Sequence, residues 1–550
     1  MVLANQNSTL LKKFPDSERG EETFAEDSLT YGSVSSLRSD DLEFLSLDLG
    51  FHNEVPQGRH LGVFSTVVLF VSRIIGSGIF AAPSSIFVGC GGNPILFFGI
   101  WFFAAAMAFA GLYLFLEFGS LLPRSGGRKN FLEAVYTKPA KMMSVTFTTY
   151  TVLMGMAVSN AIVFGKYVLY GLGFDEDFVN KNSAACNYVG AVLVICISFI
   201  HGYSVKGGIL VQNFLGALKL LFALIISLTG IYAVCFYKPA EYSSQIATTQ
   251  LPSLLQSQDV VTVSSVTTAF IQAFFCFAGW DTVHTVASEI KNPVRTLKIA
   301  GPLSLGACLL CYLSVNVAYL KVFTYEEFKA AGPLAGSILF TRLLGENVGR
   351  KLITLGIALS AASNLFVVVY STSRMSQECF REGFLPFSKI MASNRPWGAP
   401  LSSSLLCAAL TCFWLILLPS SGAAYSYLVA LEGYSNQLII LLVAVGLFIY
   451  RKRNPDVIAE IRANSLGVGA LIVLSTYLLI GPFIGDQHEA TVSHLPPYPV
   501  AALLIMTTCL GFWFMKFIVF PKLLGYELKR KVHMMEDSLV SVEWYKEYAF

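Results

Sequence analysis

Apolar residues fall in long runs separated by short polar stretches, and the lengths of those runs set the expected fold. They cover about 62–88, 94–119, 143–170, 187–202, 208–236 and 264–288, then 299–322, 350–373, 401–419, 422–449, 467–484 and 498–520. A helix needs about 20 residues to cross the hydrocarbon of a bilayer. The pattern therefore predicts about twelve transmembrane helices, the fourth and eleventh being short. Residues 1–60 are polar, rich in Ser, Asp and Glu, and lack the apolar core of a signal peptide, which predicts a disordered tail. A second polar tail, 523–550, follows the last run, and its Trp544, Tyr545 and Tyr548 offer apolar surface with which to fold back on the inner face.

Two runs are interrupted. Ser72-Arg73-Ile74-Ile75-Gly76-Ser77-Gly78-Ile79-Phe80 places two glycines near the midpoint of the first, with Pro83 a little over a turn later. The sixth breaks at Phe277-Ala278-Gly279-Trp280-Asp281. Glycine weakens a helix, and backbone freed inside a membrane is tolerated only where it faces a cavity or buried protein. Broken helices in matching positions mark a midplane substrate site between inverted repeats. Breaks in spans one and six predict two five-helix repeats, about 61–236 and 264–450, plus two appended helices at about 467–520, all within a transporter domain at 61–522. Amides of Ser77, Gly78 and Ile79 then suit a carboxylate. Carbonyls near Ile74, Ile75 and Phe277 suit an ammonium, with Gly76, Ala278 and Gly279 completing the unwound segments. Taken alone, Gly-x-Gly is equally a device for close helix packing.

Composition agrees with the pattern: 54% of the 550 residues are hydrophobic, 13% are charged, and the mean hydropathy is +0.61. A net charge of +3 gives no reason to expect nucleic acid. Placement of the basic residues says more. Arg124, Arg128, Lys129, Lys138 and Lys141 share one side with Lys291, Arg295, Lys298, Arg374, Arg381, Lys389 and Arg395, and with Arg451, Lys452, Arg453 and Arg462. The other side holds chiefly Lys181, Lys238, Lys329 and Arg342. That asymmetry predicts both termini in the cytosol. Eleven cysteines are scattered without a Cys-x-x-Cys or Cys/His cluster, so they read as small buried hydrophobes; no metal or cofactor is expected. No nucleophile–base pair or phosphate loop points to an enzyme. In the first tail, Lys12 and Lys13 beside an acidic, serine-rich run suit either ubiquitin ligases and kinases or mere solubility.

Ionisable groups inside the membrane are functional candidates because their burial is costly. Lys219, deep in span five, is placed either beside the unwound first helix, where a cation would otherwise sit, or snorkelling to the surface. Asp281 follows the second break and His284 lies about a turn on, so the two share a face on which a proton relay is conceivable. The alternative is an Asp that caps the second half-helix and a His bonded to a neighbouring helix. Glu432, about ten residues into span ten, reads as a helix–helix contact. Phe275 has the size to close a pocket from outside, although it equally suits packing. In span eight, Ser360, Ser363 and Asn364 suit close packing or contact with the first break.

Ile75-Gly76-Ser77-Gly78-Ile79-Phe80 resembles the first-helix motif of the amino acid-polyamine-organocation superfamily. Leu116-Glu117-Phe118-Gly119 leading to Pro123-Arg124-Ser125-Gly126-Gly127, and Arg381-Glu382-Gly383-Phe384-Leu385-Pro386, resemble its cytosolic loop motifs. Lys291-Asn292-Pro293-Val294-Arg295-Thr296-Leu297-Lys298-Ile299-Ala300-Gly301-Pro302 and Lys129-Asn130-Phe131-Leu132-Glu133-Ala134 resemble the fungal high-affinity methionine permeases, a branch near the L-type transporters. The resemblance implies an all-α LeuT-like fold, a plasma-membrane location and uptake of methionine coupled to protons. It implies that Lys219 stands where sodium-dependent relatives bind a second sodium ion, that Phe275 is the gate, and that Ile74, Ser77 and Gly78 bind substrate. Trp280-Asp281 departs from the methionine branch, where Tyr-Ser is expected, and is similar to relatives that accept cationic amino acids.

Three functions fit these residues: proton-coupled uptake of methionine, extending to cysteine and other neutral amino acids; sodium-independent exchange of large neutral amino acids; and amino acid sensing. The short tails disfavour the last. Selectivity by an apolar pocket is weak, about 1 to 3 kcal/mol per methylene.

Overall fold

The computed structural model describes residues 61–76, 78–122, 127–175, 178–179, 182–236, 257–417, 422–484, 495–536 and 539–548. The tail at 1–60, with Lys12 and Lys13, and Ser77 of the first break lie outside these residues.

Each apolar run becomes a helix or a broken pair. Span one is α1 (Val63–Ile74), α2 (Gly78–Ala81) and α3 (Pro83–Gly89), and span two is α4 (Pro94–Leu121). A short helix, α5 (Arg128–Val135), precedes span three, formed by α6 (Met142–Leu153) and α7 (Val158–Gly171). Spans four and five are α8 (Ser183–Tyr203) and α9 (Val205–Phe236). Span six is α10 (Val263–Cys276), which passes through a break into a 3-10 helix, Thr282–Glu289. Span seven is α11 (Pro293–Val322), after which α12 (Tyr325–Ala331) and α13 (Ala335–Gly345) precede α14 (Thr354–Arg381), the eighth span. Spans nine to twelve are α15 (Leu401–Leu417), α16 (Gly422–Arg453), α17 (Ser465–Ile480) and α18 (Tyr498–Phe514). Ten of the twelve are long and apolar enough to cross a membrane, and α10 and α15 are shorter apolar helices.

Helix starts follow local chemistry. The Asn93 side chain accepts from the Leu96 amide ahead of α4, with Pro94 in the first turn, where its missing N–H costs nothing. Thr262 and Ser265 form a reciprocal capping box at α10. The discontinuity in span three was not expected. There Gly155 stands between two methionines, and the freed Ala157 amide is satisfied by Thr411 Oγ1 of α15 at 3.1 Å.

Charged groups gather at the face carrying the basic loops. Glu117, almost fully buried at the end of α4, receives Arg451 Nε at 2.8 Å and the Ala463 amide at 2.6 Å. Lys129 on α5 meets Glu382 just beyond α14 at 2.5 Å. Burial disfavours the Lys129 ammonium, but Glu382 and Glu133 outweigh it and hold the amine above the usual lysine range.

After the last span the chain departs from an all-helical pattern. Strands β1 (Tyr526–Met534) and β2 (Val540–Tyr548) pair antiparallel, Tyr526 opposite Tyr548 and Met534 opposite Val540. Trp544 fastens this hairpin: its indole donates to the Glu382 carbonyl at 2.8 Å and stacks on Phe384. Tyr545 and Tyr548 stay exposed.

At the opposite face, the Thr324–Glu327 capping box starts α12, and Arg342 holds Glu327 at 2.8 Å. The Arg342 hydrogen bond brings the Glu327 carboxyl down to about 2. A depressed carboxylate contributes stability above its ordinary value and loses it as the pH falls through the depressed one. Amide-exchange protection of α12, corrected for intrinsic rates, is thus expected to fall as pH drops from about 4.5 to about 2. Glu327→Gln is expected to start lower and show no such drop. The pair is well exposed, so the effect is about 1 kcal/mol or less.

Candidate functional site

The last carbonyls of α1 have no partner within the helix proper, and the residues just beyond it together with neighbouring helices supply one for each. Val71 O takes the Ile75 amide at 2.8 Å. Ser72 O takes Lys219 Nζ from α9 at 2.9 Å. Arg73 O takes Asn364 Nδ2 from α14 at 2.8 Å. Ile74 O takes the Tyr312 hydroxyl from α11 at 2.8 Å and the Gly76 amide at 2.9 Å. The side-chain donors come from three helices packed on α1, namely α9, α11 and α14. An ammonium is also what the negative end of a helix favours. Lys219 is buried and points at this end, so it does not snorkel.

The second break meets the first. Tyr312 Oη lies 2.8 Å from Cys276 O as well as from Ile74 O, and with one proton it donates to one carbonyl at a time. Phe277 follows, fully buried against Trp101 and Tyr312. A Cβ at Gly78 would stand 2.8 Å from Cys276 Sγ and 3.2 Å from its Cα, so glycine lets the two interrupted helices touch. Gly76 is equally confined, a Cβ there lying 2.6 Å from Asn364 Nδ2. Gly279 has φ +116° and takes the stem of Arg73 against its backbone. Ile75 caps α1 and is buried, as is Ile79, whose carbonyl accepts from Tyr319 at 3.3 Å. Phe275 is half-buried, and its carbonyl takes the amide of Ala278 at 2.9 Å.

Of the span-eight candidates, Asn364 and Ser363 reach the first break, Ser363 Oγ lying 3.4 Å from Ser72 Oγ. Ser360 Oγ is buried without a hydrogen bond. Asp281 and His284 are not joined by a side-chain hydrogen bond. The Asp281 carboxylate meets Arg128 at 2.5 Å and makes no cap for the 3-10 helix. The His284 ring lies among Phe115 and Phe131 with neither nitrogen bonded. Neither a direct relay between them, nor an Asp cap, nor a His bonded to a neighbouring helix is formed.

A small cavity of about 10 Å³, room for about one water molecule, opens where span three is interrupted, lined by Met154, Met156, Val158, Ser159, Leu428 and Glu432. It adjoins the first break, because Asn160, next to Ser159, lies against Gly76. Beneath the breaks, the start of span one pairs with the end of span six: the Leu61 amide donates to Glu289 O at 3.0 Å and the Lys291 amide to Leu61 O at 2.9 Å. Glu289 is held there by Arg374 at 3.2 Å and by the Tyr370 hydroxyl at 2.6 Å.

Sequence reasoning missed Tyr312, Arg128 and the methionine-lined pocket. Gly155 between Met154 and Met156 was the available signal for the pocket, and Tyr312 carried none.

A helical membrane bundle in which two broken helices meet end to end is the framework of a transporter. The chain belongs to the amino acid permease family, whose sequence profile it matches over residues 61–509. It is 50% identical over 533 residues to the low-affinity methionine permease of Saccharomyces cerevisiae, covering 97% of this chain and 96% of that one. The high-affinity methionine permease of the same yeast is 29% identical over 510 residues, covering 90% and 86%. The human large neutral amino acids transporter small subunit 2 is 24% identical over 425 residues, covering 77% and 75%.

Proposed function

We propose that this chain imports methionine across the plasma membrane by proton symport with alternating access, both termini being cytosolic. The observation that carries the reading is the convergence of the Ile74 and Cys276 carbonyls on one hydroxyl, beside the confined Gly76 and Gly78. A substrate ammonium finds acceptors there, and its carboxylate faces the amides of the second half of span one. Met154, Met156 and Leu428 line the small cavity beside that site, and as flexible, polarisable side chains they are placed to part around a thioether. Likeness to two methionine permeases supports the substrate. Lys219 holds the end of α1 without sodium, and Phe275 closes the site. Asp281, already engaged by Arg128, is not offered to a cationic substrate, so neutral amino acids, cysteine among them, are the competitors. In the first tail, Lys12 and Lys13 are where ubiquitin ligases would act.

Exchange of large neutral amino acids is the second reading, favoured by the human relative. Radiolabelled methionine uptake into proteoliposomes separates the two. Concentration driven by an inward proton gradient supports symport. Accumulation of label only after internal preloading makes the chain an exchanger.

Tyr312→Phe tests the site. It leaves the Ile74 and Cys276 carbonyls short of a donor, at roughly 1 to 3 kcal/mol for a buried group. Uptake per folded transporter is expected to fall about tenfold or more with little change in melting temperature. Wild-type uptake would remove Tyr312 from the site.

A further inference from the structure

The groups considered above for coupling are all fixed in place or lack partners. Lys219 is bonded to a carbonyl, Asp281 to Arg128, and His284 has no hydrogen bond through which to pass a proton. Glu432 differs. It lines the small cavity beside the break in span three, its side chain is 44% exposed, and its counter-ion Arg73 is 4.0 Å away, at the outer limit of an ion pair. The groups acting on it electrostatically are Arg73 from α1, Arg128 from the start of α5, and Tyr150 from α6. One turn along α16 from Glu432, Asn436 accepts from Arg128, which also holds Asp281.

Arg73 connects moving parts. It lies in the last turn of α1, and its stem runs against Gly279 of the second break, where a Cβ would come within 2.2 Å of Cγ. Its guanidinium reaches α16. One side chain thus ties both broken helices to a third element, and the tie ends on the pocket-facing carboxylate.

We propose that Glu432 carries the coupled proton and that Arg73 is the counter-ion its protonation releases. This deepens the symport reading and rests on it. The proton goes onto a Glu432 carboxylate oxygen and neutralises it, while Arg73 keeps its charge. With the attraction gone, α1 and the second break are free to move relative to α16. When the proton leaves, the pair re-forms and the helices are tied again.

The test uses the full chain in proteoliposomes, with labelled methionine, the membrane potential clamped at zero and an inward gradient of one pH unit. One unit corresponds to about tenfold accumulation for one proton per substrate. Wild type is expected to approach that ratio, while Glu432→Gln accumulates to a ratio of one although methionine counterflow persists. If Glu432→Gln still concentrates methionine, the proposal is overturned and symport stands. If wild type exchanges but never concentrates, the symport reading falls and takes the proposal with it. Should Glu432→Gln lose counterflow too, methionine binding to the purified protein decides. A flat pH profile where wild type varies supports the assignment; absent binding, or the wild-type profile, overturns it.

Discussion

Replacing Lys219 with methionine is expected to cut methionine uptake at least tenfold while the melting temperature stays near or above that of wild type. The two readouts separate because the substitution has opposed effects. The ammonium is buried, and its charged neighbour is Arg73 rather than a carboxylate. Keeping an ion out of water costs several kcal/mol, so an apolar chain of similar length relieves the fold. Against this, Ser72 O loses its donor, at about 1 to 3 kcal/mol. In overall stability these terms offset each other. On the proposed site they do not offset in transport, because the loss falls on the end of α1, beside the first break. About 1.4 kcal/mol there is already tenfold. Uptake assays on purified, folded protein with parallel melting curves check it, and unchanged uptake would exclude Lys219 from the mechanism.

What the sequence made visible, and what it hid, divides along a physical line. Gly76, Gly78 and Gly279 announce the breaks because a helix breaker in an apolar run is a local contradiction, readable without knowing what lies opposite. Lys219 stands out for the same reason, a charge where charge is costly. Tyr312 does not. It is one of 24 tyrosines, in a helix where an aromatic needs no explanation, and its importance depends on two carbonyls 238 and 36 residues away in the chain meeting at its hydroxyl. Asp281 and His284 show the opposite error. Helical spacing put them on one face, but Asp281 is taken by Arg128 from the start of α5, and the His284 ring lies among Phe115 and Phe131. Glu432, read as a helix–helix contact, does meet Arg73 of α1 at 4.0 Å, and it also lines the small cavity between Met154 and Leu428, which the spacing along one helix could not show. The hairpin was legible in principle: Val540, Val542 and Trp544 alternate with Ser541, Glu543 and Tyr545, a period of two rather than 3.6.

Gly279→Ala is the second substitution with a large expected effect, and it tests whether Arg73 and the second break act as one unit. At φ +116° any side chain is strained, at about 1 to 2 kcal/mol. The added Cβ would also lie 2.2 Å from Arg73 Cγ and 3.1 Å from its Cβ. Overpacking of this kind costs roughly 1 to 3 kcal/mol. The variant is expected to melt several degrees lower and to lose uptake. Arg73→Ala removes the Cγ that the new methyl would strike, so the two changes should not add. The double variant is expected to melt above the value predicted by summing the singles, while uptake stays lost because Glu432 has no counter-ion. Strict additivity in melting temperature would mean that the Arg73 stem does not press on Gly279, and the link between Glu432 and the second break would go with it.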